Sequence, residues 1–166
     1  MEDILKYFGL AVDGRGYAGE VQSFTPPELT LAVEDKRAGG MDAPVAVDMG
    51  MEALTVSFAI FSYDRDLLNL WGLARNGRVG VTARASLESP DGSTKAVKLS
   101  SRGLITQVRE GEWTAGGAPT LVFTQRCDFF ERTVAGQVVH RIDVPGMVRI
   151  IGGVDQLEEH RRNIGR

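Results

Sequence analysis

The chain is poor in the residues that announce a specialised chemistry. It holds one cysteine, Cys127, which excludes an internal disulfide framework. Its two histidines, His140 and His160, form no Cys/His cluster with zinc spacing. Aromatics make up 7%, with two tryptophans and three tyrosines, so there is little material for an aromatic-lined ligand pocket. Nowhere do about 18 apolar residues run together, and no membrane-spanning helix is expected. The start, Met1-Glu2-Asp3-Ile4-Leu5-Lys6, is acidic and its apolar run is broken by Lys6, unlike a secretory signal. A soluble, cytoplasmically made protein is expected. A basic excess is missing too. Nineteen Lys and Arg face 22 Asp and Glu, for a net charge of −3, which argues against a general nucleic-acid binder.

What the chain has is core and punctuation. At 166 residues and 43% apolar, one domain over 1–166 is expected, large enough to need neither disulfide nor metal. Its 20 glycines are spread between short apolar stretches, the pattern of an all-β chain. Leu29–Glu34, Leu54–Ile60 and Val79–Leu87 alternate with period two, each with one face to bury. Further strands are expected at Tyr7–Val12, Tyr17–Phe24, Val97–Val108, Thr120–Thr133, Val138–Val144 and Met147–Ile151. Pro90-Asp91-Gly92-Ser93 and Ala135-Gly136 mark hairpin turns.

Two stretches read as helix. Asp64 can cap a helix over 64–73, where Leu67, Leu68 and Trp71 repeat at helical spacing as core. A second is expected over 155–164, with Asp155 and Glu158 in capping-box form, a Glu158–Arg162 pair and Gly165 to end it. So short a helix is not stable alone, and its apolar edge, Leu157 and Ile164, must dock on this subunit or on a neighbour.

Residues 37–51 fit neither pattern. A loop this long inside a domain is usually functional or disordered. Disorder is disfavoured, because Val45, Val47, Met49 and Met51 alternate as if one edge were to be covered. Two readings stay open: a hairpin folded over its own core, or an arm packed on a neighbouring subunit.

Enzyme signals are weak. Gly14-Arg15-Gly16-Tyr17-Ala18-Gly19 has the letters of a dinucleotide fingerprint, but strand-like Val21–Phe24 and Pro26-Pro27 follow where a helix must open. His140 reads as part of a strand, His160 as solvated or an interface contact, and Cys127 as a small core residue. No catalytic residues, cofactor or metal site are expected.

Three blocks go further. Arg37-Ala38-Gly39-Gly40-Met41-Asp42-Ala43-Pro44 followed by Asp48-Met49-Gly50-Met51-Glu52-Ala53-Leu54 resembles the central signature of the tail tube proteins of contractile-tailed phages. Gly153–Gly165 resembles the C-terminal signature of that family, and Tyr17-Ala18-Gly19 with Pro27-Glu28-Leu29 its N-terminal part. R-type tailocins use tubes of the same family. The resemblance implies a mainly β fold: two packed antiparallel sheets forming a sandwich or barrel, with one flanking helix, a long arm-like loop and a short C-terminal helix.

It also implies an assembly. Hexameric rings would stack into a hollow tube, inside a contractile sheath, through which the genome passes. The partners implied are other copies, the tail sheath protein, the baseplate initiator, the tail terminator and a tape-measure protein in the lumen, with no membrane. The place implied is the virion tail, assembled in the host cytoplasm. Twenty-four lumen strands about 4.8 Å apart and tilted about 40° give a bore wide enough for duplex DNA. Subunit contacts are expected from Arg37, Met41, Asp42, Pro44, Val45, Val47, Met49, Met51, Leu157, Arg161 and Ile164. By alternation, Glu28, Thr30 and Glu34 share one polar face, and Thr55 and Ser57 another. Both are expected to line a lumen that leaves DNA phosphates un-neutralised. The alternatives are the tube of an R-type tailocin with no genome and a monomeric β-barrel binding module.

Overall fold

The computed structural model describes residues 2–72 and 78–166. The strands in chain order are β1 (Ile4–Val12), β2 (Arg15–Gly16), β3 (Val21–Thr25), β4 (Leu31–Lys36), β5 (Val45–Met51) and β6 (Leu54–Ile60), then helix α1 (Arg65–Leu68). After it come β7 (Val79–Glu88), β8 (Thr94–Glu110), β9 (Leu121–Val134), β10 (Gln137–Asp143), β11 (Val148–Ile151), β12 (Val154–Asp155) and helix α2 (Glu158–Asn163). The fold is mainly β, in two antiparallel sheets. The larger runs β12-β11-β10-β9-β8-β7-β1-β2, with β6 added to β9 and β3 to β6; the smaller is β4-β5 alone.

Local chemistry sets the turns. Ala135 and Gly136 both take positive φ, 51° and 81°, the mirror-image turn whose twist suits a two-residue hairpin, and they join β9 to β10. Between β7 and β8, Asp91 Oδ1 accepts from the Ser93 amide at 2.9 Å and from its hydroxyl at 2.6 Å.

The larger sheet makes a sandwich by folding on itself. β8 has 17 residues and β9 has 14, too long for one layer of a small domain. Leu121–Cys127 of β9 pairs with β6, whereas Phe129–Val134 pairs with β10. β8 leaves β7 at Gly103, beside a bulge at Arg102/Gly103. One layer is therefore β3-β6-β9-β8, and β8 and β9 bend out of it into the other. Gly103 sits where the backbones crowd. A Cβ there would lie 2.9 Å from both Arg126 C and Cys127 Cα, and closer still to Arg126 O.

The core lies between the layers. Val56, Phe58 and Ile60 of β6 join Leu10, Val12, Val79, Val81, Ile105, Leu121, Phe123 and Phe130 in one buried cluster, and the Phe58 and Phe123 rings stack at 5.2 Å. One polar residue crosses it. Gln125, fully buried, donates through Nε2 to Val79 O at 2.6 Å and accepts from Ser101 Oγ at 2.7 Å. In a flat sheet β7 and β9 would stand about 9.6 Å apart, two strand spacings. The bond is therefore a direct marker of the curl. Gln125→Leu keeps the volume but removes both bonds, leaving Ser101 Oγ only the long contact to Val81 O at 3.5 Å. It should cost about 2–4 kcal/mol in urea unfolding, of which adding Ser101→Ala recovers about 1 kcal/mol.

Three local expectations are corrected. Helix α1 stops at Leu68 although Asp64 caps it, Oδ1 accepting from the Asp66 amide at 2.8 Å. Beyond it the backbone tightens into three-residue turns, the Leu70 amide donating to Leu67 O at 3.1 Å and that of Trp71 to Leu68 O at 3.4 Å, and bonds to β8 follow: Trp71 Nε1 to Thr106 O at 3.1 Å and the Gly72 amide to Ile105 O at 3.2 Å. Trp71 is consequently exposed rather than core, and Leu73 lies outside the described residues. Asp155 does not cap α2. It ends β12, its Oδ1 accepting from the Leu157 amide at 3.1 Å and its Oδ2 from Arg161 at 2.6 Å. The stretch 17–24 is not one strand either, since Tyr17 is buried in the core ahead of a turn and β3 starts at Val21.

Candidate assembly surfaces

The segment 37–51 belongs to a projecting ribbon. Val45–Met51 is strand β5, paired with β4 in the register Lys36↔Val45, Asp35↔Ala46, Glu34↔Val47 and Val33↔Asp48. Among the described residues this ribbon pairs with no third strand, so it is not folded over its own core. Its apolar side chains are open: Val33 58%, Val45 53%, Val47 40% and Met49 59% exposed. The tip is held by its own turn. The Met41 amide donates to Ala38 O at 3.2 Å, and Arg37 Nε to Met41 O at 3.1 Å. Asp42 and Pro44 are exposed there, while Met51 and Leu29 pack against the core at the root.

One ion pair fastens the root. Arg149, a buried residue of β11, donates to Asp48 Oδ2 at 2.5 Å and to Gln156 Oε1 at 3.1 Å. The guanidinium, and then the Gly50 amide on Oδ1, hold the Asp48 carboxyl below the usual carboxylate range. A depressed folded value means that the contact contributes above the unfolded pKa and is lost as pH falls through the folded one. As pH falls through and below the ordinary carboxylate range, amide protection in β4 and β5 should therefore drop while the core around Gln125 keeps its protection. Asp155 is also depressed, by Arg161. Asp48→Asn separates the two, because it removes the step in the ribbon and leaves any step near α2.

The C-terminal helix docks on its own chain. Arg161, an expected subunit-contact residue, donates to Met147 O at 2.8 Å as well as to Asp155. Leu157 lines a cavity of about 460 Å³ with Met51, Leu54, Ile142 and Met147. Ile164, 62% exposed, remains outward.

The expected lumen residues fall in different places. Glu28 and Thr30 precede β4, and Glu34 is in the ribbon, ion-paired with Lys36 at 2.5 Å. A register shift between Leu31 and Val33 breaks the alternation assumed for them. Thr55 and Ser57 lie instead on the outer face of the β3-β6-β9-β8 layer. Cross-strand register sets three rows there: Leu104–Arg126–Thr55, then Gln107–Thr124–Ser57–Thr25, then Arg109–Val122–Ala59–Ser23.

That layer has two unpaired edges among the described residues, β3 on one side and Leu104–Glu110 of β8 on the other. Trp71 and Gly72 already hold two carbonyls of the β8 edge, leaving its Gln107–Glu110 end. Strand β1 also shows more apolar surface than an edge needs, with Leu5 54% and Tyr7 77% exposed. Its run of apolar residues on both faces was the available signal, since a strand covered on both sides reads as continuous rather than alternating. Near the β8–β9 loop, Glu110 accepts from Tyr63 at 3.0 Å and Trp113 at 3.2 Å.

Burial pushes the Cys127 thiol up to about 11, far from a thiolate nucleophile. Burial, with Arg132 nearby, pulls His140 below its usual value. Among the described residues no three His, Cys, Asp or Glu side chains gather as a metal ion requires, and no helix is long and apolar enough to cross a membrane.

Comparison with known proteins finds relatives along most of the chain. The chain is 31% identical over 165 residues to the tail tube protein of Escherichia phage P2, covering 97% of this chain and 96% of that one. It is 28% identical to the major tail tube protein of Serratia phage KSP20, covering 84% and 82%. The fold matches the tube-terminating cap of the anti-feeding prophage, with TM-score 0.62 at 12% identity over 81% of this chain and 93% of that one. It also matches a chain of the extended sheath–tube complex of the PVC extracellular contractile injection system, with TM-score 0.57 at 12% identity over 76% and 87%. The model of the phage tail tube protein FII family covers residues 2–165, and the chain belongs to that family.

Proposed function

We propose that this tail tube protein acts as a non-enzymatic ring subunit: six copies close a ring, rings stack through the ribbon, and the genome passes through the bore. The β3-β6-β9-β8 layer carries the reading. Each strand in it is antiparallel to the next, so its two open edges, β3 and β8, run in opposite directions. Placing the β8 edge of one copy beside the β3 edge of the next keeps the antiparallel order around a ring. Closure then removes edges that would otherwise recruit strands indiscriminately. The ribbon, apolar and open on both sides, supplies the axial contact, with its tip residues and Ile164 at the ring-to-ring boundary. Sheath, baseplate and terminator proteins are the partners that such a tube requires, with a tape-measure protein in its bore.

Negative-stain microscopy of the purified protein tests this. Rings or tubes with an open centre are expected; compact particles of single-chain size would refute it and favour the monomeric binding module.

A further inference from the structure

We propose that the outer face of the β3-β6-β9-β8 layer is a phosphodiester-contacting wall, with Arg109 and Arg126 as its charged groups. As a bore lining, this inference rests on the ring reading above. The observation beneath it does not. The chain as a whole carries more acid than base, 22 against 19, yet the three cross-strand rows of this face hold two arginines and no carboxylate. Both arginines are exposed. Among the described residues neither enters an ion pair, whereas Arg141 on the other layer is bound to Glu131. The remaining side chains of the rows are mostly hydroxyl or amide: Gln107, Thr124, Ser57, Thr55 and their neighbours.

The composition selects the class of partner. A guanidinium offers forked donors that match phosphate oxygens, and a surrounding field of short hydroxyls adds donors without competing charge. A protein partner would need an apolar centre to bury, and the rows offer only Leu104 and Val122, since Ala59 is itself buried. A polyanion needs none. The two arginine rows are four residues apart along β9, about 13 Å at the usual rise, so six copies would set two basic rings per layer of the bore. This reverses the expectation of a wall that leaves phosphates un-neutralised. Passing DNA meets a weak, salt-sensitive drag instead of an inert surface, each contact adding to affinity as counterions are released.

The test uses tubes assembled with a short fluorescent DNA duplex and then treated with nuclease to remove outside DNA. Wild-type tubes should protect duplex at about 50 mM salt and release most of it at about 200 mM. Tubes of Arg109→Gln with Arg126→Gln should have unchanged diameter and protect at least about tenfold less, the affinity expected to go with two phosphate contacts. Equal protection by the two proteins, or protection indifferent to salt, overturns the proposal. So does a double variant that cannot form tubes, which would make the arginines assembly contacts. Fluorescent poly-glutamate retained as well as duplex would show that phosphate is not what the wall suits, and overturns it too.

A phosphocellulose column reads the same face in whatever state of assembly the protein has, so failure of the ring reading stays distinguishable. There the double variant should elute at lower salt than wild type. Arg84→Gln with Lys98→Gln, cross-strand partners on the other layer, makes the same charge change and should elute like wild type. Equal shifts for the two variants would reduce the effect to net charge and overturn the proposal.

Discussion

Replacing residues 32–50 by Asn-Gly is expected to give a folded protein that no longer polymerises. Leu31 and Met51 are cross-strand partners, so their backbones are already about 5 Å apart and a two-residue turn can close the gap. The body loses little, because both faces of the ribbon are open. It does lose Asp48, and a buried guanidinium left without its carboxylate is strongly destabilising. The excision is therefore made together with Arg149→Met, after which the melting temperature should stay within a few degrees of wild type. Assembly should respond very differently. Val45, Val47 and Met49 are about half exposed, and covering what remains of each contributes roughly 1 kcal/mol. A loss of about 3 kcal/mol per contact raises the concentration needed for polymerisation about 100-fold. Sedimentation at concentrations where the wild type forms tubes reads it directly. Tubes of normal diameter from the excised protein would remove the ribbon from the assembly mechanism.

The ribbon also shows where sequence reading reaches its limit. Alternation works where one face is buried, and Leu54, Val56, Phe58 and Ile60 of β6 are buried at the positions their period implies. In 37–51 the same alternation is visible, but only Met51 at the root meets this chain's own core, so a strand with little of its own to cover reads as a loop. Short-range turns were legible for a related reason, since Asp91-Gly92 and Ala135-Gly136 carry their conformational requirement in the residues themselves. Sheet order was not, because β6 reaches β9 across a long stretch of chain and no local pattern encodes that partner. The expected lumen residues Thr55 and Ser57 show the same limit. Alternation places Thr55 opposite Val56 but is silent on Arg126, its cross-strand neighbour, whose charge changes the character of the wall. Helix α1 was over-read because Trp71 has helical spacing yet finds a better partner in Thr106 O.

Gly103→Ala is expected to be among the most damaging single-methyl substitutions available in this chain. The added carbon would fall within 2.9 Å of Arg126 C and Cys127 Cα and closer still to Arg126 O. These are backbone atoms, so no rotamer change relieves the contact, and β8 and β9 must separate at the bulge where both pass from one layer to the other. A destabilisation of about 3–5 kcal/mol follows, at the upper end for overpacking, and the melting temperature should fall by roughly 10 °C. Gly80→Ala is the matched control. It also lies in a strand of the larger sheet, but its Cβ would meet nothing within 4 Å, and it should change stability by under about 1 kcal/mol. The same displacement reaches the outer face, because Leu104 and Arg126 form the row next to the bulge. The variant should therefore lose ring closure at temperatures where it is still folded. If Gly103→Ala melts within two or three degrees of Gly80→Ala, the close approach at this corner is not what shapes the sandwich, and the bend must be set by the Arg102/Gly103 bulge alone.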